Sequence, residues 1–370
     1  MKIIQILSHI TYGDAISNDV LAIDEMIRDL GYESAVMAVK IHESLLDYAI
    51  PLNFSQINNE DLIIFHKSNG DGITGRIAKL PNKKILIYHN ITPPEFFFLY
   101  DPMTAIVLSI GRIQTKKNLK KFDFAWGDSE YNCRELMAYG MDTKKVNSLS
   151  ILIPPKKIHS DEKILNSLSS DKGTKLLFIG RISPQKKHED VIKTYWYVLQ
   201  QDPNAKLFFV GNWNGSEKYY AKLKGFCADL NLSDEQVVFT GTVTEEEKSA
   251  YLDSCDVFVC MSEHEGFCVP LVEAMQHDLP IAAFSAAAIP ETMGSDHPLL
   301  FLKKDFQVIA DAIVNVQKDE TYRQEILDYQ NKQAKLFDYD DNRQKAFALL
   351  QNVIESMKDE ESFQTPLAHS

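Results

Sequence analysis

Short continuous apolar runs alternate along this chain with stretches in which apolar residues recur every three or four positions. The first run, Lys2–Leu7, reads as a strand, and Ser17–Leu30 follows as a helix with apolar positions at Val20, Leu21, Ile23, Met26, Ile27 and Leu30. Strands are then expected at Ser34–Val39, Leu62–Phe65 and Lys84–Tyr88, with a helix over Gly70–Leu80 between the last two. Phe122–Trp126 reads as a strand, Ser129–Tyr139 as a helix and Val146–Ile153 as a strand that closes at Pro154-Pro155. The polar stretch from Pro154 to Gly173 reads as a connection, after which the alternation starts again. Strands at Lys175–Ile179, Lys206–Val210, Gln236–Phe239, Asp256–Met261 and Pro280–Phe284 are interleaved with a helix from Lys186-Lys187 to Gln200 and another over Glu245–Asp253, capped by Thr244. Helices over Asp305–Val316, Glu320–Phe337 and Asp340–Met357 finish the pattern, and the polar tail Asp359–Ser370 is expected to fray. Strands alternating with helices predict parallel sheets covered on both faces.

With 370 residues the chain exceeds what one core usually serves, so two α/β domains are expected, 1–155 and 156–339. Charge is spread unevenly: residues 1–155 hold 16 Lys+Arg against 18 Asp+Glu, a net of −2, leaving −11 of the total −13 to the remainder. A broad nucleic-acid surface is excluded on either half. Five cysteines without Cys-x-x-Cys spacing fit a reducing compartment and argue against structural zinc. No run of eighteen apolar residues and no signal-peptide pattern is present, so a soluble, cytoplasmic protein is expected. Arg112–Lys121 carries five cations and no acid, which suits either a solvated helix face or peripheral contact with anionic lipid at the inner face of the cell membrane.

The chemistry concentrates after the strand at Asp256–Met261. There Glu265-Gly266-Phe267-Cys268 leads into a short helix with Pro270 in its first turn, and Glu273 follows eight residues after Glu265. Backbone N–H groups of Phe267 and Cys268 at a helix opening suit an anionic oxygen, and Glu273, one turn into the helix, can aim back at the same mouth. Ser-x-x-Glu-Gly-Phe, five residues and Glu-Ala-Met resembles the Glu-x7-Glu motif of family 4 retaining glycosyltransferases. Gly180-Arg181-Ile-Ser-Pro-Gln-Lys186 is a second resemblance to that family. The resemblance implies a GT-B fold, two Rossmann-like domains facing a cleft, with the C-terminal helix 340–357 crossing back to the first domain. It implies that Glu265 lies beside the transferred sugar, that Glu273 binds ribose hydroxyls, that Arg181 and Lys186 clamp the pyrophosphate, and that the Thr242-Val243 backbone holds the base. Ala286-Ala-Ala-Ile-Pro-Glu291 departs from the family, which more often has glycines there.

In the first half, the loop Ser8–Ile16 lies at the carboxyl end of the first strand, where open α/β sheets bind ligands. Gly13 is its one glycine, so no Gly-x-Gly-x-x-Gly fingerprint supports hydride chemistry. His89, ending the strand Lys84–Tyr88 ahead of Pro93-Pro94, is expected to be presented on an extended loop. Its position resembles that of the family histidine set against the donor sugar; His66, ending the preceding strand, is the poorer candidate. The implied activity is metal-independent, retaining transfer of a hexosyl unit from a UDP- or GDP-type donor to a glycan or lipid-linked acceptor, without a cofactor. No Asp-x-Asp pair sits at an expected strand end. A sugar-nucleotide epimerase of the same fold and a non-catalytic glycan-binding subunit are the alternatives.

Overall fold

The computed structural model describes residues 1–155 and 158–364. In chain order the elements are β1 (Lys2–Ile10), α1 (Ala15–Asp29), β2 (Glu33–Ile41), β3 (Ile50–Pro51), β4 (Leu62–Lys67), α2 (Thr74–Ile77), β5 (Lys84–Tyr88), α3 (Pro102–Asn118), β6 (Phe124–Gly127), α4 (Glu130–Ala138) and β7 (Val146–Ser148). They continue with α5 (Glu162–Ser169), β8 (Lys175–Ile179), α6 (His188–Leu199), β9 (Lys206–Val210), α7 (Glu217–Asp229), β10 (Val237–Gly241), α8 (Glu245–Ser254), β11 (Val257–Cys260), α9 (Val269–Gln276), β12 (Ile281–Phe284), α10 (Ile289–Met293) and β13 (Leu300–Phe301). Three helices, α11 (Phe306–Lys318), α12 (Glu320–Ala334) and α13 (Tyr339–Gln364), end the chain.

Two compact units result. The first comprises residues 1–91, 110–155 and 337–364, and the second residues 92–109 and 158–336. The first holds a seven-stranded sheet in the order β3-β2-β1-β4-β5-β6-β7, the second a six-stranded sheet in the order β10-β9-β8-β11-β12-β13. Every pairing between named strands is parallel. Both orders run outward in one direction and then reverse, so each sheet has a switch point: between β1 and β4 in the first, between β8 and β11 in the second. Crevices at the carboxyl ends of such strand pairs are where side chains from adjoining loops meet a ligand. Central strands β4, β5 and β8 are buried along their whole length, as strands covered on both faces must be. In the first unit α13 packs Ala346, Leu350, Val353 and Ile354 against Ile23, Met26 and Ile27 of α1 and the strand residues Ile3, Leu62 and Ile64.

Several expected elements change. Between β4 and β5 the helix is a single turn, α2, because Asp71 folds back on Thr74 and Ile73 and is tied to Gln114 through its backbone, leaving residues 70–73 irregular. The strand expected to reach Ile153 ends at Ser148, and the Leu152 N–H then bonds Asp19 at 2.8 Å instead of a strand neighbour. Lys186-Lys187 does not open a helix: Pro184–Lys186 is a 3-10 turn, Lys187 takes a left-handed conformation with φ 51°, and α6 starts at His188. At the end of the chain α13 continues through Gln364, beyond the expected start of the frayed tail, and residues 365–370 lie outside the described residues.

Candidate functional site

In the second unit the switch point carries the motif residues. β8 ends in Gly180-Arg181, and β11 leads through Ser262 to Glu265 and α9. Glycines keep this end of the sheet open to close backbone approach. A Cβ on Gly211, which has φ +148°, would lie 2.2 Å from the Gly180 carbonyl oxygen, and the Gly180 N–H itself bonds the Val210 carbonyl at 2.9 Å. Gly211→Ala is therefore expected to cost at least about 2 kcal/mol, read as a lowered urea midpoint. An unchanged midpoint would contradict the close approach.

Lys186 and Glu265, 79 residues apart, form an ion pair at 2.7 Å with both side chains mostly shielded. Burial disfavours the Lys186 ammonium, but Glu265 outweighs it and holds the pKa above the ordinary lysine value. Arg181, one residue past β8, is exposed, and no hydrogen bond or ion pair engages it among the described residues. Lys187 points elsewhere, pairing with Glu263 at 3.2 Å, and Glu263 also receives Lys304 at 2.8 Å. Glu273, half-buried on α9, pairs with Lys248 of α8 at 2.7 Å. Lys248 meets Glu245 at 3.1 Å as well, and these acids raise its pKa against the opposing effect of burial. Lys248 was not foreseen, since 25 residues and a strand separate it from Glu273.

The loop that carries Glu265 is fixed by α10 and the residue before it. Ala288 N–H bonds the Glu265 carbonyl at 3.3 Å, and the Thr292 hydroxyl bonds the Phe267 carbonyl at 2.5 Å. The alanine-rich departure from the family thus supports the loop by its backbone, with Ala287 in a left-handed conformation at φ 51°. Gly266 lies within the held loop, and Cys268, at φ 78°, ends it at the N-cap of α9, with no side-chain hydrogen bond to the helix. Val243 lies half-buried between β10 and α8, just ahead of the capping box made by Thr244 and Glu247.

In the first unit the candidate residues take a different form. Gly13 is exposed in the β1–α1 loop with φ +73°, immediately before Asp14 caps α1. His89 is not presented: its residue is 8% exposed and its ring is buried. The prolines come too late to draw it out, because the His89 N–H still bonds the Lys67 carbonyl at 2.9 Å and the chain turns only at Asn90, with φ 65°. His66, the poorer candidate on sequence grounds, is its direct partner, with Nδ1 2.9 Å from His89 Nε2.

Hydrogen-bond logic assigns the protons of this cluster. The Gln5 amide donates from Nε2 to the Val20 carbonyl at 3.0 Å, which turns its oxygen toward His66 Nε2 at 2.9 Å. That oxygen only accepts, so His66 carries its hydrogen on Nε2 and offers a lone pair at Nδ1. His89 Nε2 must then donate to His66, while His89 Nδ1 shares the remaining proton with Asp128 Oδ2 at 3.0 Å. Asp19, His66 and His89 each offer a ligating atom within 4.8 Å of the others, the one such group of His, Cys and acids among the described residues. Ring centroids 5.2 Å apart with nearly coplanar rings, however, leave only the ring radii beyond the 2.9 Å N···N contact. The lone-pair axes therefore face head-on instead of converging on a metal. In this arrangement neither nitrogen of His89 is left for a sugar.

Burial pushes the Asp19 carboxyl up to about 7, with nearby His89 opposing and Asp128 reinforcing the shift. His89 rises above the ordinary histidine value because Asp128, Asp19 and Asp14 outweigh its own burial, while burial and His89 push His66 well below it. A raised Asp19 holds its proton in the folded state while the unfolded chain loses it near 3.8, so its contribution to stability falls as pH rises from about 4 to 7. The raised His89 acts in the same direction, its contribution being lost as pH rises through its folded value, whereas the lowered His66 acts in the opposite one. Asp19→Asn is expected to remove a few kcal/mol of this pH dependence, measured by urea denaturation across that range. An unchanged slope in the variant would contradict the protonated Asp19.

Two parallel sheets with open switch points define the chain as a GT-B-class α/β protein. HepE of Anabaena, solved in complex with UDP and glucose, has this fold with a TM-score of 0.73 and 17% identity over 95% of this chain and all of that one. Residues 160–334, a little under half of the chain, match the glycosyl transferases group 1 family. The serotype-specific mannosyltransferase WbdA of Escherichia coli is 26% identical over 193 residues, which is 51% of this chain and 23% of that protein. The sulfoquinovosyl transferase of Arabidopsis thaliana is 28% identical over 231 residues, 60% of this chain and 41% of its own length. The chain thus spans about a quarter and two fifths of the lengths of these relatives.

Proposed function

We propose that the chain is a retaining hexosyltransferase that uses a nucleoside diphosphate sugar of the uridine or guanosine type and an acceptor hydroxyl on a glycan or lipid-linked acceptor. The observation that carries this reading is the shielded Lys186–Glu265 pair beside exposed Arg181, at the carboxyl end of β8 and β11. A sheet switch point holding cations and a carboxylate suits a donor whose two reacting parts acquire opposite charges. As the bond from the anomeric carbon to the diphosphate oxygen breaks, the electron pair leaves with the diphosphate. Arg181 and Lys186 neutralise it. The positive sugar ring is stabilised by Glu265, and the acceptor oxygen attacks from the departing side, which retains configuration. Its proton passes to the diphosphate oxygen. Glu273, oriented by Lys248, holds the ribose hydroxyls, and the backbone at Val243 meets the base.

No metal or cofactor takes part in this scheme, because two side-chain cations and the opening of α9 meet the diphosphate. The mannosyl- and sulfoquinovosyltransferase relatives support glycosyl transfer, and the neighbour bound to UDP and glucose supports the donor class. By analogy with a serotype-specific relative, the product belongs to polysaccharide or glycoconjugate synthesis. The test offers UDP- and GDP-hexoses with glycan acceptors, follows nucleoside diphosphate release, and reads the product anomer by NMR. Release of one nucleotide, a retained anomer and unchanged turnover in EDTA are expected. Inversion, or loss on chelation with rescue by Mn²⁺, would overturn the scheme.

A further inference from the structure

Helix α3 carries its apolar residues on the wrong side. Ala105, Leu108, Gly111, Thr115 and Asn118 are buried, whereas Met103, Ile106, Ile110 and Ile113 are between 44% and 68% exposed. Spacings of three, four and three place these four on one side of the helix. Leu99, on the turn before it, is 84% exposed. A solvated face would be polar there. Lys117, seven residues from Ile110 and four from Ile113, continues the same side, and Lys116 beside it and Lys120 and Lys121 in the 3-10 turn that follows the helix are, like it, exposed and without an ion pair among the described residues. From Pro102 to Lys121 there is no acid. Arg112 does not join the lysines: it turns inward to the Ile91 carbonyl at 2.6 Å and to Glu135.

We propose that this side of α3 seats at the surface of an anionic membrane, the aliphatic stripe entering the headgroup boundary and the lysines meeting lipid phosphates. Charge complementarity selects this occupant. The lysines need an anionic counterpart directly beside an apolar one, and an acidic bilayer offers both. A second copy paired in parallel would bring eight lysines together, which like-charge repulsion opposes. The net charge of −13 does not forbid membrane contact, because acids farther away than about 10 Å are screened at physiological salt. The proposal uses none of the residues of the Lys186–Glu265 site and does not rest on the transfer reaction.

The test is flotation of the full chain with vesicles of phosphatidylcholine alone or mixed with phosphatidylglycerol, without any nucleotide. Wild type is expected to float with the mixed vesicles and not with the neutral ones. Ile106→Asp combined with Ile110→Asp should weaken this binding roughly tenfold or more, and each Lys→Ala at 116, 117, 120 or 121 roughly fivefold. Exposed Val308→Asp, on α11, should float as wild type does and controls for added charge. Equal binding to neutral vesicles, no binding at all, or equal loss in the Val308 variant would overturn the proposal. So would a concentration-dependent dimer in analytical ultracentrifugation that Ile110→Asp abolishes, since the face would then belong to a second copy. Failure here leaves the nucleotide titration of the second unit untouched, so the two readings are tested separately.

Discussion

Lys186→Ala is expected to lower kcat by about 10²–10³-fold, the scale of removing one preorganised donor from a developing anion. It should also lower the melting temperature. The 2.7 Å pair with Glu265 means that truncation leaves a shielded carboxylate without its ammonium, at a cost of roughly 1–3 kcal/mol. Arg181→Ala should lose turnover to a similar degree but keep its melting temperature, because the guanidinium is exposed and bonded to nothing among the described residues. Combining Lys186→Met with Glu265→Gln removes both charges and should recover most of the stability without recovering activity. Single-turnover rates near wild type for Lys186→Ala would remove it from the diphosphate clamp. Equal loss of stability in the Arg181 and Lys186 variants would contradict the difference in their surroundings.

The two motif glutamates are expected to separate binding from chemistry. Glu273→Gln should weaken binding of the bare nucleoside diphosphate by roughly 1.5–3 kcal/mol, the range for a hydrogen bond to a charged group. Lys248 keeps the carboxylate oriented toward α8, so Lys248→Met should lose part of the same affinity without touching the sugar. Glu265→Gln should leave that affinity unchanged or slightly improved, since it releases Lys186 from a competing partner, and yet lower kcat because the ring cation loses its counter-charge. Nucleotide titration and steady-state kinetics on the three variants check this. The roles must be exchanged if Glu265→Gln loses nucleotide binding while Glu273→Gln keeps it.

What the chain discloses before folding depends on how far apart the interacting residues lie. Strands buried on both faces write themselves as apolar runs, so β4, β5, β8 and β11 are all legible, as is the βα unit that carries Glu265. The two-residue β3 is not, because an edge pair has no pattern of its own. Helix α3 escaped periodicity for a physical reason: its apolar stripe faces outward and its buried side includes Gly111, Thr115 and Asn118. Partners such as Lys248 for Glu273, or Asp128 for His89, are set by which strands lie next to each other, and sequence order does not display this. The burial of His89 follows from the same cause, since only the neighbouring strands supply the His66 and Asp128 atoms that make burying an imidazole tolerable.

Isothermal titration of the chain with UDP and GDP, each set against Arg181→Ala/Lys186→Ala, tests the donor-site assignment most directly. One nucleoside diphosphate is expected to bind the wild type with one-to-one stoichiometry and to lose at least about a hundredfold in affinity to the double variant, as two charge-assisted contacts require. Binding of neither nucleotide to the wild type, or equal binding to both proteins, would contradict it.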